Sequence, residues 1–124
     1  MKLIDRLKKA KEGDRPLDAE VAKAFGWEAE RVGKLGWRKR RPGQRWHTLP
    51  RYTTSLDDAV LLVPDGMFWV LGYGKTREPE PLGGASIMSP SDLDNHIGQA
   101  EAATVELAIC AAALQAHLSL QSPT

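Results

Sequence analysis

Apolar and polar positions fall in blocks along this chain, and the longest apolar block lies near its end. Residues 107–114 read LAICAAAL without interruption. Around them Leu107, Cys110, Ala111, Leu114 and Leu118 recur at i, i+3, i+4, i+7 and i+11. Val105, Ile109, Ala112 and Ala116 form a second stripe beside the first. Two adjoining stripes leave no fully polar face, which predicts a buried helix over 102–118. Thr104 stands where an N-cap belongs, and Glu106 where the helix dipole favours an anion. The alanines favour helix and let neighbouring elements approach closely. A membrane span needs about 20 apolar residues. Glu106, Gln115 and His117 lie too near for that, so no membrane partner is expected.

Shorter amphipathic blocks precede it. Over 2–11, Leu3, Ile4, Leu7 and Ala10 share a helical face and Lys8, Lys9 and Lys11 face water, with Gly13 expected at the C′ position. Asp14 is placed to cap a second helix with Pro16 in its first turn and Leu17, Val21, Ala24 and Phe25 on its apolar side; Gly26 stops it. Residues 1–26 thus read as a helical hairpin. Thr54 or Ser55 opens a third helix, with Ser55 to Asp58 close to a capping box and Leu56, Ala59, Val60 and Val63 on the buried side, and Pro64 and Gly66 end it after about two turns. Residues 67–73, MFWVLGY, have the aromatic and β-branched content of a strand, and 85–88 can return as its hairpin partner. The intervening 75–84 is a charged, Pro-rich connection, and 89–99 a polar stretch leading to the last helix.

Composition adds bounds. The 124 residues suit one domain, and 42% hydrophobic residues suffice for one core. Net charge is +1, but its distribution is uneven. Residues 27–51 hold eight basic residues against two acidic, and the rest of the chain nine against fourteen. Gly33, Gly36, Pro42 and Gly43 predict a loop there, with Trp27, Trp37 and Trp46 interleaved. Cations among aromatics can bind phosphates and stack bases. The residues placed for that, or for an acidic partner, are Arg38, Lys39, Arg40, Arg41 and Arg45 with Trp37 and Trp46. The alternative is a solvated loop whose tryptophans fold back on the body.

Little else carries chemistry. The single Cys110 cannot form an internal disulfide and reads as a buried thiol. His47, His96 and His117 are scattered without metal-ligand spacing. Asp57 and Asp58 are neighbours that do not converge on one point, so capping accounts for them better than catalysis. Gly72–Gly74 and Gly83–Gly84 lack the context of a phosphate loop. Ser91, Asp92, Asn95 and His96 lack a placed base or nucleophile elbow. No catalytic, cofactor-binding or metal-binding residue is expected, and the protein is read as non-enzymatic. The N-terminal residues have no long apolar run, so a cytoplasmic protein is expected.

Several stretches in order carry a resemblance: Leu17–Ala22 with Gly26 and Trp27; Trp46; the run Pro50 to Val60, PRYTTSLDDAV; Val63–Gly66; and Ala102–Thr104 through Cys110–Leu114. In these the chain resembles the phage ABA sandwich domain family, small proteins encoded in bacterial phages and prophages. The resemblance implies helices on both faces of a small, mostly antiparallel sheet, an α+β single domain over 1–124, and no activity. The sheet is expected near Trp46, 67–73 and 85–88. The function expected is a phage or prophage accessory protein, a protein-interaction or assembly module in a bacterial host cell, binding a phage or host protein. Nucleic-acid binding through 37–46 is the alternative, and the oligomeric state is left open.

Overall fold

The computed structural model describes residues 2–34, 36–75, 81–89 and 92–121. In chain order they form helices α1 (Leu3–Lys9) and α2 (Arg15–Ala24), then strands β1 (Glu28–Val32), β2 (Gly36–Arg40) and β3 (His47–Thr48). Helix α3 (Leu56–Ala59) runs into a 3-10 turn (Val60–Leu62). Strands β4 (Phe68–Lys75), β5 (Pro81–Ser89) and β6 (Asp92–Ala102) and helix α4 (Val105–Gln121) complete the chain. The class is α+β. The sheet expected as one is two, both antiparallel, with orders β1-β2-β3 and β4-β5-β6.

Helix α4 is the middle layer. Every residue from Leu107 to Ala113 is fully buried, because β5 and β6 lie against one side and α1, α2, α3 and the 3-10 turn against the others. Small residues permit this. Gly98 on β6 sits so close that an added Cβ would overlap the Ala112 carbonyl oxygen, and one at Gly83 on β5 would overlap the Val105 amide. Thr104 caps the helix as expected, its Oγ1 accepting from Leu107 N–H at 3.1 Å. The helix begins later than the sequence suggested, since Ala102 ends β6. The apolar stripe also surfaces before its end: Leu118 is 47% exposed.

Residues 89–99, expected as a polar lead-in, largely form β6. Its inward positions are Gly98, Ala100 and Ala102, too small to signal a strand, and its register against β5 shifts near Met88. Alternation in the β4-β5-β6 sheet sets its two faces. Leu71 pairs with Ala85, and Ala85 with Ala100, all toward α4, whereas Val70 pairs with Ser86 and Ser86 with Gln99, all away from it. Among the described residues α4 lies against β4, β5 and β6, and α1 also lies against β6.

The hairpin of α1 and α2 forms, with Asp14 Oδ1 accepting from Leu17 N–H at 2.8 Å. Gly13 is not a C′ residue, because α1 ends at Lys9 in extended backbone at Ala10. Its hydrogen side chain instead admits Thr53, whose carbonyl a Cβ would overlap. Ser55 caps α3 through Asp58 N–H. The basic segment 27–51, expected as a loop, is the three-stranded meander β1-β2-β3. Charges on both faces of β2 hide its alternation: Arg38 and Arg40 stand opposite Glu30 and Glu28, while Trp37 and Lys39 occupy the other face.

Candidate interaction surfaces

Antiparallel register explains the outer face of the first sheet. Opposed residues share a face, so Glu28, Glu30, Arg38 and Arg40 form a charged ladder. Arg40 Nε lies 2.8 Å from Glu28 Oε2, and the Arg38 guanidinium bonds Glu30 Oε1 through two nitrogens. The guanidinium carbons of Arg38 and Arg40 lie 4.1 and 4.3 Å from the Trp46 ring centroid. Stacked arginines thus already occupy the Trp46 ring.

The inner face holds Lys39. Its ammonium lies 3.7 Å from the Trp27 ring centroid and donates to Tyr52 Oη at 2.8 Å. Burial is the main cause that lowers the Lys39 pKa; Arg41 adds to it and Asp58 opposes it. Arg41 stacks on Trp27 at 4.1 Å and donates to the Phe25 carbonyl. Trp37 packs against the core and accepts from Leu49 N–H through its carbonyl. The seven residues singled out in the sequence therefore divide. Arg38 and Arg40 join Trp46 on one face, Trp37 and Lys39 turn inward, and Arg41 and Arg45 lie exposed beyond β2. Trp27, not among those candidates, is the ring that Lys39 and Arg41 cover.

Beneath this sheet a buried polar junction ties the meander to the helices. Asp18, with no exposed surface, accepts from Thr53 N–H at 2.8 Å and Thr53 Oγ1 at 2.5 Å, and pairs with Arg15 at 2.7 Å. Arg15 also donates to the carbonyls of Leu49 and Pro50. Cys110 Sγ donates to the Tyr52 carbonyl at 3.0 Å. Burial pushes the Cys110 thiol up, with Asp18 and Glu106 adding to it. Burial also raises Tyr52 to about 12, helped by Asp58, Cys110 and Asp18. Every group here has a partner inside the fold, which describes a structural lock and leaves no polar atom directed at a ligand. Asp18 and Thr53 are separated by 35 positions, and no local pattern marks them.

The second sheet offers the contrast. Phe68 and Val70 point away from α4 and are 53% and 56% exposed; Trp69, on the α4 side at the sheet edge, is 43% exposed. Sequence alone did not single these out, because a continuous apolar strand reads as buried on both faces. Among the described residues no group of three or more His, Cys, Asp or Glu is arranged to hold a metal ion. No described helix is long and apolar enough to cross a membrane. Ser91 and the side chains of 92–96 lie outside the described residues, as do residues 76–80 of the expected 75–84 connection, whose ends instead belong to β4 and β5.

Comparison with protein-family models, with curated proteins and with solved structures finds no match to this chain.

Proposed function

We propose that the protein is a non-enzymatic interaction module whose binding surface is the outer face and free edge of the β4-β5-β6 sheet. The resemblance in the sequence supports placing it among phage or prophage accessory proteins, acting in a bacterial host cell on a phage or host protein. The observation that carries the reading is the exposure of Phe68, Trp69 and Val70 together on one strand. Clustered exposed apolar side chains mark interaction sites, whereas single ones do not.

The alternative, nucleic-acid binding through 37–46, has one supporting observation. Among the described residues Arg31, Lys34, Lys39, Arg41 and Arg45 have no carboxylate within ion-pair distance. Against it stand the Trp27 and Trp46 rings, both stacked by the chain's own cations, so base stacking has to displace them.

One comparison separates the readings. The intact chain and its Phe68→Lys/Val70→Lys variant are used to capture proteins from host cells, and both are titrated with duplex and single-stranded oligonucleotides at low salt. Circular dichroism checks that the variant is folded. The interaction reading expects a discrete captured protein that the variant loses, and no oligonucleotide binding at about 10 µM, a few kcal/mol weaker than typical specific sites. Oligonucleotide binding with a log–log salt slope of about −0.9 per phosphate neutralised on duplex DNA sinks it in favour of the basic segment.

A further inference from the structure

The two sheets have four edges, and three of them are guarded against pairing. Strand β1 carries Glu28, Glu30 and Arg31 within its five residues. Strand β3 is two residues long, with Pro50 two positions beyond it. Strand β6 contains Asp92, Asp94 and Glu101, is irregular against β5, and has an N–H, that of Gln99, already bonded to Gln115 Oε1 at 2.9 Å. Charge, shortness, proline and irregularity are the usual protections of an edge. Strand β4 is the least protected: it is eight residues long, regular against β5, without proline, and uncharged until Lys75 at its last position. Among the described residues no strand pairs with its outer edge.

We propose that β4 pairs antiparallel with β4 of a second copy, about a two-fold axis at Leu71, joining two three-stranded sheets into one of six strands. The proposal rests on the interaction role argued above and names the partner at that surface. The order of residues in FWVLGYGK selects this register. On the face away from α4, Phe68 and Val70 fill the first half of the strand and Gly72 and Gly74 the second. With Leu71 opposite Leu71, Val70 faces position 72 and Phe68 faces position 74 of the second copy, both glycines. Phe68 and Val70, the exposed side chains on that face, thus each lie across from a glycine that they can cover, a pairing that stabilises edge glycines.

The two-fold runs perpendicular to the sheet, so both copies of α4 lie on one face. The Phe68 and Val70 pairs of both copies then merge into one patch on the other face. Such an interface is isologous and closes at two copies.

The test is sedimentation velocity of the full chain across about two decades of concentration around 10 µM. The expected result is a reversible shift from the 13.6 kDa monomer to a species of twice that mass. Two surface variants follow, Phe68→Lys/Val70→Lys and Phe68→Glu/Val70→Glu, each checked for native circular dichroism. In the proposed register residue 70 of one copy is diagonal to residue 70 of the other. Each variant alone is therefore expected to stay monomeric, and an equimolar mixture to form a heterodimer. Leu61→Lys, on the exposed 3-10 turn away from β4, is expected to dimerise like the parent chain. A monomer at every concentration, or variants that dimerise unchanged, overturns the pairing. If the parent chain is monomeric yet captures a host protein that the lysine variant loses, self-pairing fails and the interaction role stands. If capture is also insensitive to the variant, both fail.

Discussion

Tyr52 joins the first sheet to helix α4. Its ring is buried, its hydroxyl receives Lys39, and its carbonyl receives the Cys110 thiol. Its pKa is raised from 10.0 to about 12, chiefly by burial. A group whose folded pKa is raised contributes stability that is complete below its unfolded pKa and lost as pH rises through the folded one. Cys110 is shifted in the same direction, whereas the lowered pKa of Lys39 works in the opposite sense. With two groups against one, stability is expected to fall as pH rises from about 10 to 12. In a Tyr73→Phe background, which leaves Tyr52 as the only tyrosine, phenolate absorbance is expected to titrate near 12 in the folded chain and near 10 in denaturant. A native midpoint at 10 contradicts the buried placement. Cys110 gives a second residue-level check: fully buried, it is expected to react slowly with a thiol reagent until denaturant is added.

Among the elements, α4 carries the most burial, and Leu114 lies in its continuous apolar run. Leu114→Ala is expected to cost about 2–5 kcal/mol, from lost transfer energy and the cavity left behind. A denaturation midpoint unchanged within error contradicts the central position of this helix. Helices α2 and α4 were legible in the sequence because their caps, Asp14 and Thr104, and their 3.6-residue periodicity point the same way. The first sheet was not, because period-2 patterning needs one apolar face, and β2 turns Lys39 inward where Tyr52 and Trp27 hold it. Strand β6 was missed because glycine and alanine fill its inward positions, and their value lies in contact with α4, which is remote in sequence. Of the candidate residues, Arg38, Arg40 and Trp46 share one face of the first sheet, whereas Lys39 and Trp37 turn inward. The stacking on Trp46 and the cross-strand Glu28 and Glu30 pairs depend on a register that only the fold supplies. The strand at Phe68–Lys75 was legible, but the exposure of one of its faces was not. That depends on which side α4 covers.

At the scale of the whole molecule, the charged sheet and the apolar sheet differ in what they leave available. On the first, acids and tryptophans of the chain itself engage Arg38, Lys39, Arg40 and Arg41. On the second, Phe68, Trp69 and Val70 remain in water at an unguarded edge. The central claim is that contacts form at β4 and not on the basic segment. Site-specific photo-cross-linking in expressing cells tests it most directly, with a photoreactive residue in place of Val70 in one protein and of Arg45 in another, both exposed positions. The expected result is a discrete cross-linked product from position 70, to a second copy or to another protein, and none from position 45. Cross-links to nucleic acid or protein from position 45, with none from position 70, contradict the claim.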